Sequence, residues 1–346
     1  MSLIPTPLEY RARALADLRM GLPIVITGDQ MWLVCAAESV TGDRLTSLRA
    51  TGPVELALSR WRAETLKAQV YFGDVARLDM GDQGAQWCHA MADPTLDLAY
   101  PMKGPFRSIR HGTGDAAKAA LAYLKAAHLL PAALMVPIDH APADLTKVPM
   151  AMATAAHLTA VSHAAVPIAA SQAGRVHVFR PDDGGEDHYA IEIGTPDRAK
   201  PVLVRLHSAC FTGDVLGSLK CDCGPQLQAA LAQMGAEGAG VLLYLNQEGR
   251  GIGLANKMRA YALQSQGFDT VEANHRLGFE DDERDFQLGA HILQKMGFSQ
   301  VRLMTNNPLK LDRFNYMGMT VTERVPLKVG KNPLNAHYLA TKAQKS

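Results

Sequence analysis

The chain has 346 residues, of which 47% are hydrophobic and 20% charged, values typical of globular proteins with packed cores. This length favours two domains. The 35 basic and 34 acidic residues leave a formal charge of +1, so the composition predicts no DNA or RNA partner and no binding to a membrane surface. Any anionic ligand must therefore be held by a local cluster of charge.

The N-terminal segment and the cysteine count bear on the compartment. Residues 1–21 turn polar early, unlike a signal peptide, and no uninterrupted apolar run of about eighteen residues predicts a transmembrane helix. Five cysteines without a secretion signal favour reduced thiols over a disulfide framework. We therefore expect a cytoplasmic protein whose clustered cysteines bind metal or react.

The first half alternates helical and strand-like segments. In chain order it predicts a helix over 8–20, a β-rich run over 22–28, a second apolar segment over 31–40, an alanine-rich helix over 114–130 and a buried strand over 132–138. An acidic, glycine-containing turn followed by an alternating strand over 180–194 interrupts this alternation of helical and strand-like segments. We therefore predict a domain boundary near residue 170, with one domain over 1–170 and a second over 171–346.

The second half also alternates, which predicts an α/β or α+β fold. Strands are expected over 202–208, 241–247, 301–307 and 320–327, and helices over 225–238, 256–267, 282–297 and 307–318. The helix over 282–297 would open with acidic residues, as the helix dipole favours.

Three cysteines cluster in the second half. Cys210, Cys221 and Cys223 lie within fourteen positions of the sequence. Zinc prefers thiolates, and three protein ligands with an open position are typical of catalytic zinc sites. His207 is the near candidate for a fourth ligand, and three unrelated buried cysteines are the alternative to a metal site. The spacing does not match paired zinc fingers, which argues against a structural zinc site.

The two other cysteines lie in the first half. Cys35 falls in an apolar run, which predicts a core position, whereas Cys88 stands beside His89 and could be a ligand.

Three polar segments of the second half follow strands or open helices. Residues 246–257 are glycine-rich and suit an anion at a helix N-terminus. Residues 281–286 place acids beside an arginine that could hold phosphate bidentately. Residues 305–310 end a strand and could face a nucleotide. Each segment is also compatible with an ordinary turn or cap carrying solvated charges.

Taken together, these motifs resemble GTP cyclohydrolase II, the zinc enzyme that catalyses the first step of riboflavin biosynthesis. The resemblance runs from about residue 170 to the C-terminus and includes RLHSACFTGDVLGSLKCDCGPQL, QEGRGIGLANKMRAYALQSQG, LGFEDDERDF and LMTNNPLK. It implies a hydrolase that opens the base ring of GTP with release of formate and pyrophosphate. It also implies a catalytic zinc ion, magnesium on the substrate phosphates and a homodimer.

The resemblance assigns roles to individual residues. It implies Cys210, Cys221 and Cys223 as zinc ligands. Asp282 would be the general acid/base, Arg284 the nucleophile or clamp at the α-phosphate, and Tyr261 a neighbour of the zinc-bound water. The implied nucleotide-binding residues are Arg205, Gln226, Glu248, Arg250, Thr270, Thr305 and Lys310.

Two positions depart from the family pattern. Ala209 stands where the family usually has glutamate, and Asn246 where it usually has arginine. Because a site that hydrogen-bonds a base discriminates strongly, lost polar groups can change which base fits. The alternatives are therefore ring opening of a uridine nucleotide, as in uracil catabolism, or a non-catalytic nucleotide-binding relative.

The first half more faintly resembles dihydroxybutanone-phosphate synthase, through LADLRMGLPIVI, CAAESVTGD and GDAAKAALAYLKAAHLLPAALMVPI. The acidic motif expected after the first strand is missing, and RHGTGD at 110–115 replaces the family's Arg-x-Gly-His-Thr-Glu. That enzyme needs acids for magnesium and for proton transfer. We therefore predict a degenerate α/β domain without synthase activity, which serves as a scaffold or in dimerisation.

Overall fold

The computed structural model describes residues 3–151, 157–306 and 317–335. The chain forms two compact units that interleave along the sequence. The first comprises Met1–Ala155 and Ile252–Glu283, and the second comprises Ala156–Gly251 and Arg284–Ser346. Each unit contains one sheet with helices, so the predicted α/β class with two domains is confirmed.

The helices and strands have the following bounds. The helices are α1 (Pro7–Arg19), α2 (Gly42–Thr51), α3 (Arg60–Thr65), α4 (Ala85–Ala92), α5 (Asp115–Ala126), α6 (Cys223–Glu237), α7 (Leu254–Gln264), α8 (Thr270–Leu277) and α9 (Gln287–Lys295). The strands are β1 (Ile24–Thr27), β2 (Met31–Ala36), β3 (Glu55–Ser59), β4 (Val75–Asp79), β5 (Arg107–Ser108), β6 (Ala132–Ile138), β7 (Lys147–Pro149), β8 (Leu158–Ala165), β9 (Gly174–Pro181), β10 (His188–Ile193), β11 (Val202–Ser208), β12 (Gly240–Leu245), β13 (Gln300–Met304) and β14 (Thr320–Val325).

Local sequence signals explain several of the predicted elements. The helix α1 begins after Thr6, whose side chain accepts the Glu9 amide while the Glu9 carboxylate accepts the Thr6 amide. The helix α6 ends at Gly238, which adopts a left-handed conformation with φ of 75°. The predicted helices over 8–20 and 225–238 are confirmed.

The acidic segment 281–286 behaves differently from the prediction. The helix α9 begins at Gln287, so the predicted start at residue 282 is wrong. The Asp285 carboxylate accepts the Gln287 amide at 2.8 Å, and the Glu283 carboxylate accepts the Glu280 amide at 2.9 Å. These side chains satisfy backbone donors in a turn and so compete with the helix. The helix predicted over 307–318 lies largely outside the described residues.

The sheet of the first unit has the strand order β5-β4-β3-β6-β2-β1-β7, with a parallel pair only at β1 and β7. Alternation along each strand sends side chains to two cores. On β3, Leu56 and Leu58 face one core while Ala57 faces the other. The first core also contains apolar residues of α7 and α8, and the second contains residues of α1 and α5.

The sheet of the second unit has the order β14-β13-β11-β12-β10-β9-β8. Its strands β12, β11, β13 and β14 are parallel, and β10, β9 and β8 are antiparallel. The neighbouring parallel strands β12, β11 and β13 end at Leu245, Ser208 and Met304. Ligands of open α/β sheets bind outside the carboxyl ends of such strands.

The division of the chain differs from the predicted boundary near residue 170. Strand β8 pairs with β9 in one antiparallel hairpin, so residue 170 falls inside the second unit. The segment Ile252–Glu283 belongs to the first unit, although the prediction assigned it to the second domain. The apolar faces of α7 and α8 explain this, because they pack in the core of the first sheet.

Candidate metal centre

Three thiols of the second unit lie at the carboxyl ends of its parallel strands. Cys210 follows β11, and Cys221 and Cys223 lie at the start of α6. The three Sγ atoms lie within 4.8 Å of one another, and those of Cys210 and Cys221 are 3.8 Å apart. Across the described residues, this is the one group of three or more metal-ligating side chains held this closely.

The electrostatics of the group suit a cation. A hydrogen bond with Cys210 raises the pKa of Cys221, and the same neighbour is the largest cause that raises the pKa of Cys223. A bound metal ion reverses this effect, because its charge stabilises thiolates. Three soft donors on buried or half-buried residues therefore fit zinc, and the predicted ligand set is brought together.

Gly213 lies directly against the three cysteines. A Cβ atom at this position would lie 2.9 Å from Cys221 Sγ, 2.9 Å from Cys223 Cβ and 3.1 Å from Cys210 Sγ. Gly224 has a similar constraint, because a Cβ there would lie 2.3 Å from the Gly213 carbonyl oxygen. The sequence reading missed both roles, since only the folded loop shows which backbone the thiols approach.

A buried hydrogen-bond network holds the loop that follows Cys210. The Asp214 carboxylate accepts the Cys210 amide at 3.0 Å and the Tyr244 hydroxyl at 3.0 Å. Its Oδ2 atom lies 2.9 Å from His207 Nε2, and both side chains are 4% exposed. His207 thus bonds a carboxylate and is not one of the clustered ligands. Burial and the Asp214 charge raise the pKa of Tyr244, which keeps the hydroxyl a donor.

A second network includes two predicted nucleotide-binding residues. The Arg205 Nη2 atom donates to Gln226, whose amide donates in turn to Asp222, the residue between Cys221 and Cys223. Arg205 Nη1 donates to the Met304 carbonyl at 2.9 Å, and its buried Nε has no hydrogen-bond partner among the described residues. Burial lowers the pKa of Arg205, while the nearby Asp222 opposes the shift. An unpaired buried donor of this kind suits an anionic or carbonyl ligand.

The glycine-rich loop after β12 contacts the cysteine loop. The Glu248 carboxylate accepts the Phe211 amide at 2.6 Å and the Gly249 amide at 2.9 Å. Arg250 adopts a left-handed backbone conformation with φ of 65°, which costs a non-glycine residue about 1 kcal/mol. Both residues are predicted nucleotide-binding residues, and the hydrogen bond to the Phe211 amide places Glu248 beside the residue that follows Cys210.

Two further predicted residues lie in the same unit. Arg284 Nη1 donates to the Ser208 hydroxyl at 3.2 Å. The Arg284 charge is also one of the causes that lower the pKa of Arg205. The Thr305 amide donates to the Val325 carbonyl at 2.9 Å, directly after β13. A cavity of about 300 Å³ opens beside the thiols and includes Cys221 and Asn332 in its lining.

The remaining predicted residues belong to the first unit or lie outside the described residues. Tyr261 on α7, Thr270 at the start of α8 and Asp282 in the following turn belong to the first unit. Lys310 lies outside the described residues. The second unit therefore contains the metal ligands together with Arg205, Gln226, Glu248, Arg250, Arg284 and Thr305.

The two positions that depart from the family pattern have local roles. The Ala209 amide donates to the Leu245 carbonyl at 2.8 Å, which joins the ends of β11 and β12. The Asn246 amide nitrogen donates to the His188 ring at 3.1 Å, and its side chain donates to the Asp187 carbonyl. The Asn246 side chain thus bonds the residue before β10.

The other two cysteines are structural. Both are fully buried in the first unit, and burial raises the pKa of Cys35 to about 11 and that of Cys88 to about 12. Cys88 Sγ lies 3.9 Å from Met80 Sδ, and the neighbouring His89 bonds the Val40 carbonyl. The core prediction for Cys35 is confirmed, and Cys88 belongs to no group of metal-ligating side chains among the described residues.

Fold and site together define an α/β protein with a cysteine group suited to a soft metal ion. Within the described residues, no helix is both long and apolar enough to cross a membrane. A family model described as GTP cyclohydrolase II matches residues 159–326. A GTP cyclohydrolase-2 of Azospirillum brasilense is 42% identical over 355 residues, which cover 96% of this chain and 92% of that protein. The chain belongs to the GTP cyclohydrolase II family.

Two other comparisons cover different shares of the chain. A GTP cyclohydrolase-2 of Proteus mirabilis is 61% identical over 161 residues, which cover 46% of this chain and 81% of the relative. Among solved structures, a two-domain 3,4-dihydroxy-2-butanone 4-phosphate synthase from A. baumannii matches 91% of this chain and 99% of its own, at 17% identity. Its TM-score is 0.32, and at that value the likeness supports no structural conclusion.

Proposed function

We propose that this chain is a zinc-dependent hydrolase that opens the base ring of GTP and releases formate and pyrophosphate, as in riboflavin biosynthesis. The observation that carries the proposal is the three-thiol group, with Sγ atoms within 4.8 Å, at the strand ends of the second unit of a chain that belongs to this family. A nucleotide-binding protein without catalysis has no need of such a group.

Cys210, Cys221 and Cys223 are the residues that would hold zinc. When bound, zinc lowers the pKa of water and so supplies a nucleophile near neutral pH. Asp214 and Gly213 fix the cysteine loop, because one bonds the Cys210 amide and the other packs against the thiols. Magnesium on the substrate phosphates completes the proposed set of ions.

The guanidinium groups are the proposed phosphate and base contacts. Arg284 is held by Ser208 and presents a planar group that can bind an α-phosphate bidentately. Arg205 and Gln226 form a buried pair beside the thiols, and the unpaired Arg205 Nε supports a ligand contact there. For Thr270, Thr305 and Lys310, the nucleotide-binding role rests on the family motifs.

Asp282 is the proposed general acid/base, and Tyr261 is proposed to assist at the reacting water. A carboxylic acid can move a proton to or from the departing nitrogen of the opened ring. The support is their place in the motifs LGFEDDERDF and RAYALQ. An Asp282→Asn variant tests the role, because it keeps the shape of the side chain and removes its proton transfer.

GTP is favoured over a uridine nucleotide by the relatives, which carry the name GTP cyclohydrolase-2 at 42% and 61% identity. Ala209 lies next to Cys210 and is the position at which a changed base preference would arise. The geometry of Asn246 gives no support to the uridine alternative, because its side chain bonds the Asp187 carbonyl.

The experiment incubates the zinc-loaded protein with GTP and, separately, with UTP and UMP, and follows ultraviolet absorbance and formate. Formate release from GTP is expected. Cys221→Ser should lose zinc and turnover together, whereas Cys35→Ala, at a cysteine outside the cluster, should retain both. Loss of the ultraviolet absorbance of a uridine nucleotide alone, without formate because hydrolysis of a uracil ring releases none, would transfer the proposal to that substrate. Retained nucleotide affinity with no turnover in the wild type would favour the non-catalytic alternative.

We also propose a homodimer in the cytoplasm. All five cysteines are free thiols, which suits a reducing compartment. Light scattering coupled to size exclusion should give twice the chain mass of 37.3 kDa. For the domain over 1–170 we propose no synthase activity, and formation of dihydroxybutanone phosphate from ribulose 5-phosphate would overturn this.

A further inference from the structure

The segment Ile252–Glu283 belongs to the first unit although it lies inside the family-matched range 159–326. Its residues Leu263, Leu277 and Phe279 share a buried core with Leu56 of β3. The N-terminal part of the chain therefore builds the surroundings of a segment that carries Tyr261 and Asp282.

An acidic turn, Glu280–Glu283, ends this segment and consists of four consecutive carboxylates. The Glu280 carboxylate accepts the Trp61 indole N–H at 2.9 Å. The Glu283 carboxylate accepts hydrogen bonds from the Lys125 ammonium group at 2.6 Å and from the Glu280 backbone amide at 2.9 Å. Residues of α3 and α5 thus hold the first and last acids of the turn.

The Trp61 ring supports a third acid indirectly. It stacks on His275 with ring centroids 3.7 Å apart and planes 1° from parallel. His275 Nε2 lies 2.8 Å from the Asp281 carboxylate. Glu280, Asp281 and Glu283 are therefore each engaged, and all the engaging side chains belong to the first unit.

The start of the turn is also fixed by packing. Gly278 ends α8 with φ of 91°, and a Cβ there would lie 2.6 Å from Ser59 Oγ and 2.8 Å from Pro131 Cγ. The chain therefore enters the acidic turn in close contact with the last residue of β3 and the residue before β6.

Charge explains why the turn needs these partners. Neighbouring carboxylates repel one another, and the repulsion widens or disorders a turn that has no compensating cation. Lys125 supplies such a cation to Glu283, with a side chain 24% exposed against 20% for Glu283. A pair this sheltered is screened less by salt than a surface pair.

We propose that Lys125 and Trp61 are positioning residues of the ring-opening reaction, which fix the acidic turn and with it Asp282. The inference rests on the proposed function, because Asp282 is the proposed general acid/base. It gives the synthase-like N-terminal domain a role without any synthase chemistry: it is the support of a segment that the reaction uses.

The test compares steady-state kinetics of zinc-loaded variants with GTP. Lys125→Met and Trp61→Phe each remove one contact and keep the apolar bulk of the side chain. We expect kcat to fall about tenfold or more, since small misplacements of a reacting group are costly, while KM and zinc content change less than about twofold. Lys125→Arg should recover most of the loss, because it restores the ion pair with Glu283.

Lys118→Met is the matched control. Lys118 lies on the same helix and pairs with Asp74 at 3.0 Å, but its side chain is 45% exposed and it does not contact the acidic turn. Its kcat should equal that of the wild type.

A Lys125→Met variant with wild-type kcat would overturn the positioning role while the wild-type turnover upheld the proposed function. The positioning role would also be overturned if Lys125→Met lost zinc or thermal stability in proportion to its loss of kcat, because such losses would indicate a structural role. Absence of ring opening by the zinc-loaded wild type would reject both proposals together.

Discussion

The cysteine group and the acidic turn are held by different kinds of contact. Backbone packing and a buried carboxylate hold the thiols: a Cβ at Gly213 would lie 2.9 Å from Cys221 Sγ and 3.1 Å from Cys210 Sγ, and Asp214 is 4% exposed. Side chains that are partly exposed hold the turn, with Lys125 at 24%. We expect a single change at the cysteine group to abolish zinc binding. A single change at the acidic turn should lower kcat only in part.

Gly213→Ala tests the packed side of this comparison and has the largest expected effect. The added methyl group cannot fit against Cys221 and Cys223, so the loop must move and the ligand set is disrupted. We expect zinc content by metal analysis to fall close to zero and stability to decrease by about 1–3 kcal/mol.

Gly42→Ala is its control, because a Cβ there meets nothing within 4 Å. Full zinc content in Gly213→Ala would show that the loop adapts and would remove the contrast between the two regions.

Asp214→Asn tests the buried network with a smaller change. The amide keeps the size of the side chain but replaces one acceptor by a donor that faces the Cys210 amide or the Tyr244 hydroxyl. Zinc affinity, measured by competition with a chelator, should fall about 10–100-fold, as for other residues that orient metal ligands.

Asp197→Asn serves as the exposed control for this variant. Asp197 is 53% exposed and pairs with Lys200 at 3.6 Å. Equal zinc affinity in the two variants would contradict a special role for the buried carboxylate.

The pH dependence of unfolding tests the first unit itself. Burial alone would raise the pKa of Asp97, but hydrogen bonds and charge from Arg62 and Lys103 outweigh it and lower the pKa below the ordinary value of 3.8. A depressed folded-state pKa gives stability that is present above 3.8 and is lost as pH falls through the lower folded value.

Urea unfolding of the wild type at pH 7 and pH 3 should therefore show acid destabilisation. Asp97→Asn should be less stable at pH 7, with a smaller difference between the two pH values. An unchanged pH difference in the variant would assign the acid sensitivity to other carboxylates.

Added salt gives the smallest expected effect and addresses the acidic turn. Because the pair of Lys125 and Glu283 is partly exposed, screening should weaken it by about 0.5 kcal/mol or less. Between low salt and about 0.5 M salt, kcat of the wild type should fall by less than about threefold. The kcat of Lys125→Met should depend less on salt concentration than that of the wild type. An equal salt dependence of kcat in the two proteins would mean that this pair does not affect kcat.

The sequence was sufficient to predict the three-thiol group, because residue type and spacing indicate it. Cys210, Cys221 and Cys223 are close along the chain, and thiols have few roles in a polar loop. The close approach of Gly213 could not be predicted, since glycine is common in turns and its neighbours are set by the fold. His207 was a reasonable fourth ligand until its partner was known, and that partner, Asp214, stands out by no sequence signal.

The fold shows the same limit. Alternating apolar patterns predicted α1, α5, β6, β11 and α6 correctly, because local periodicity decides between helix and strand. Periodicity does not say which sheet an apolar face will cover. The helices α7 and α8 therefore gave no sign that they pack on the first sheet, and the division of the chain had to come from the structure.

The central claim is that the three thiols serve ring opening of GTP, and formate release measured against zinc content tests it most directly. The wild type and Cys221→Ser are compared at equal protein concentration with GTP and magnesium. We predict one formate per GTP consumed, at a rate proportional to bound zinc, and neither zinc nor formate in Cys221→Ser. Zinc-loaded wild type that binds GTP without releasing formate, or a zinc-free variant that still releases it, would contradict the claim.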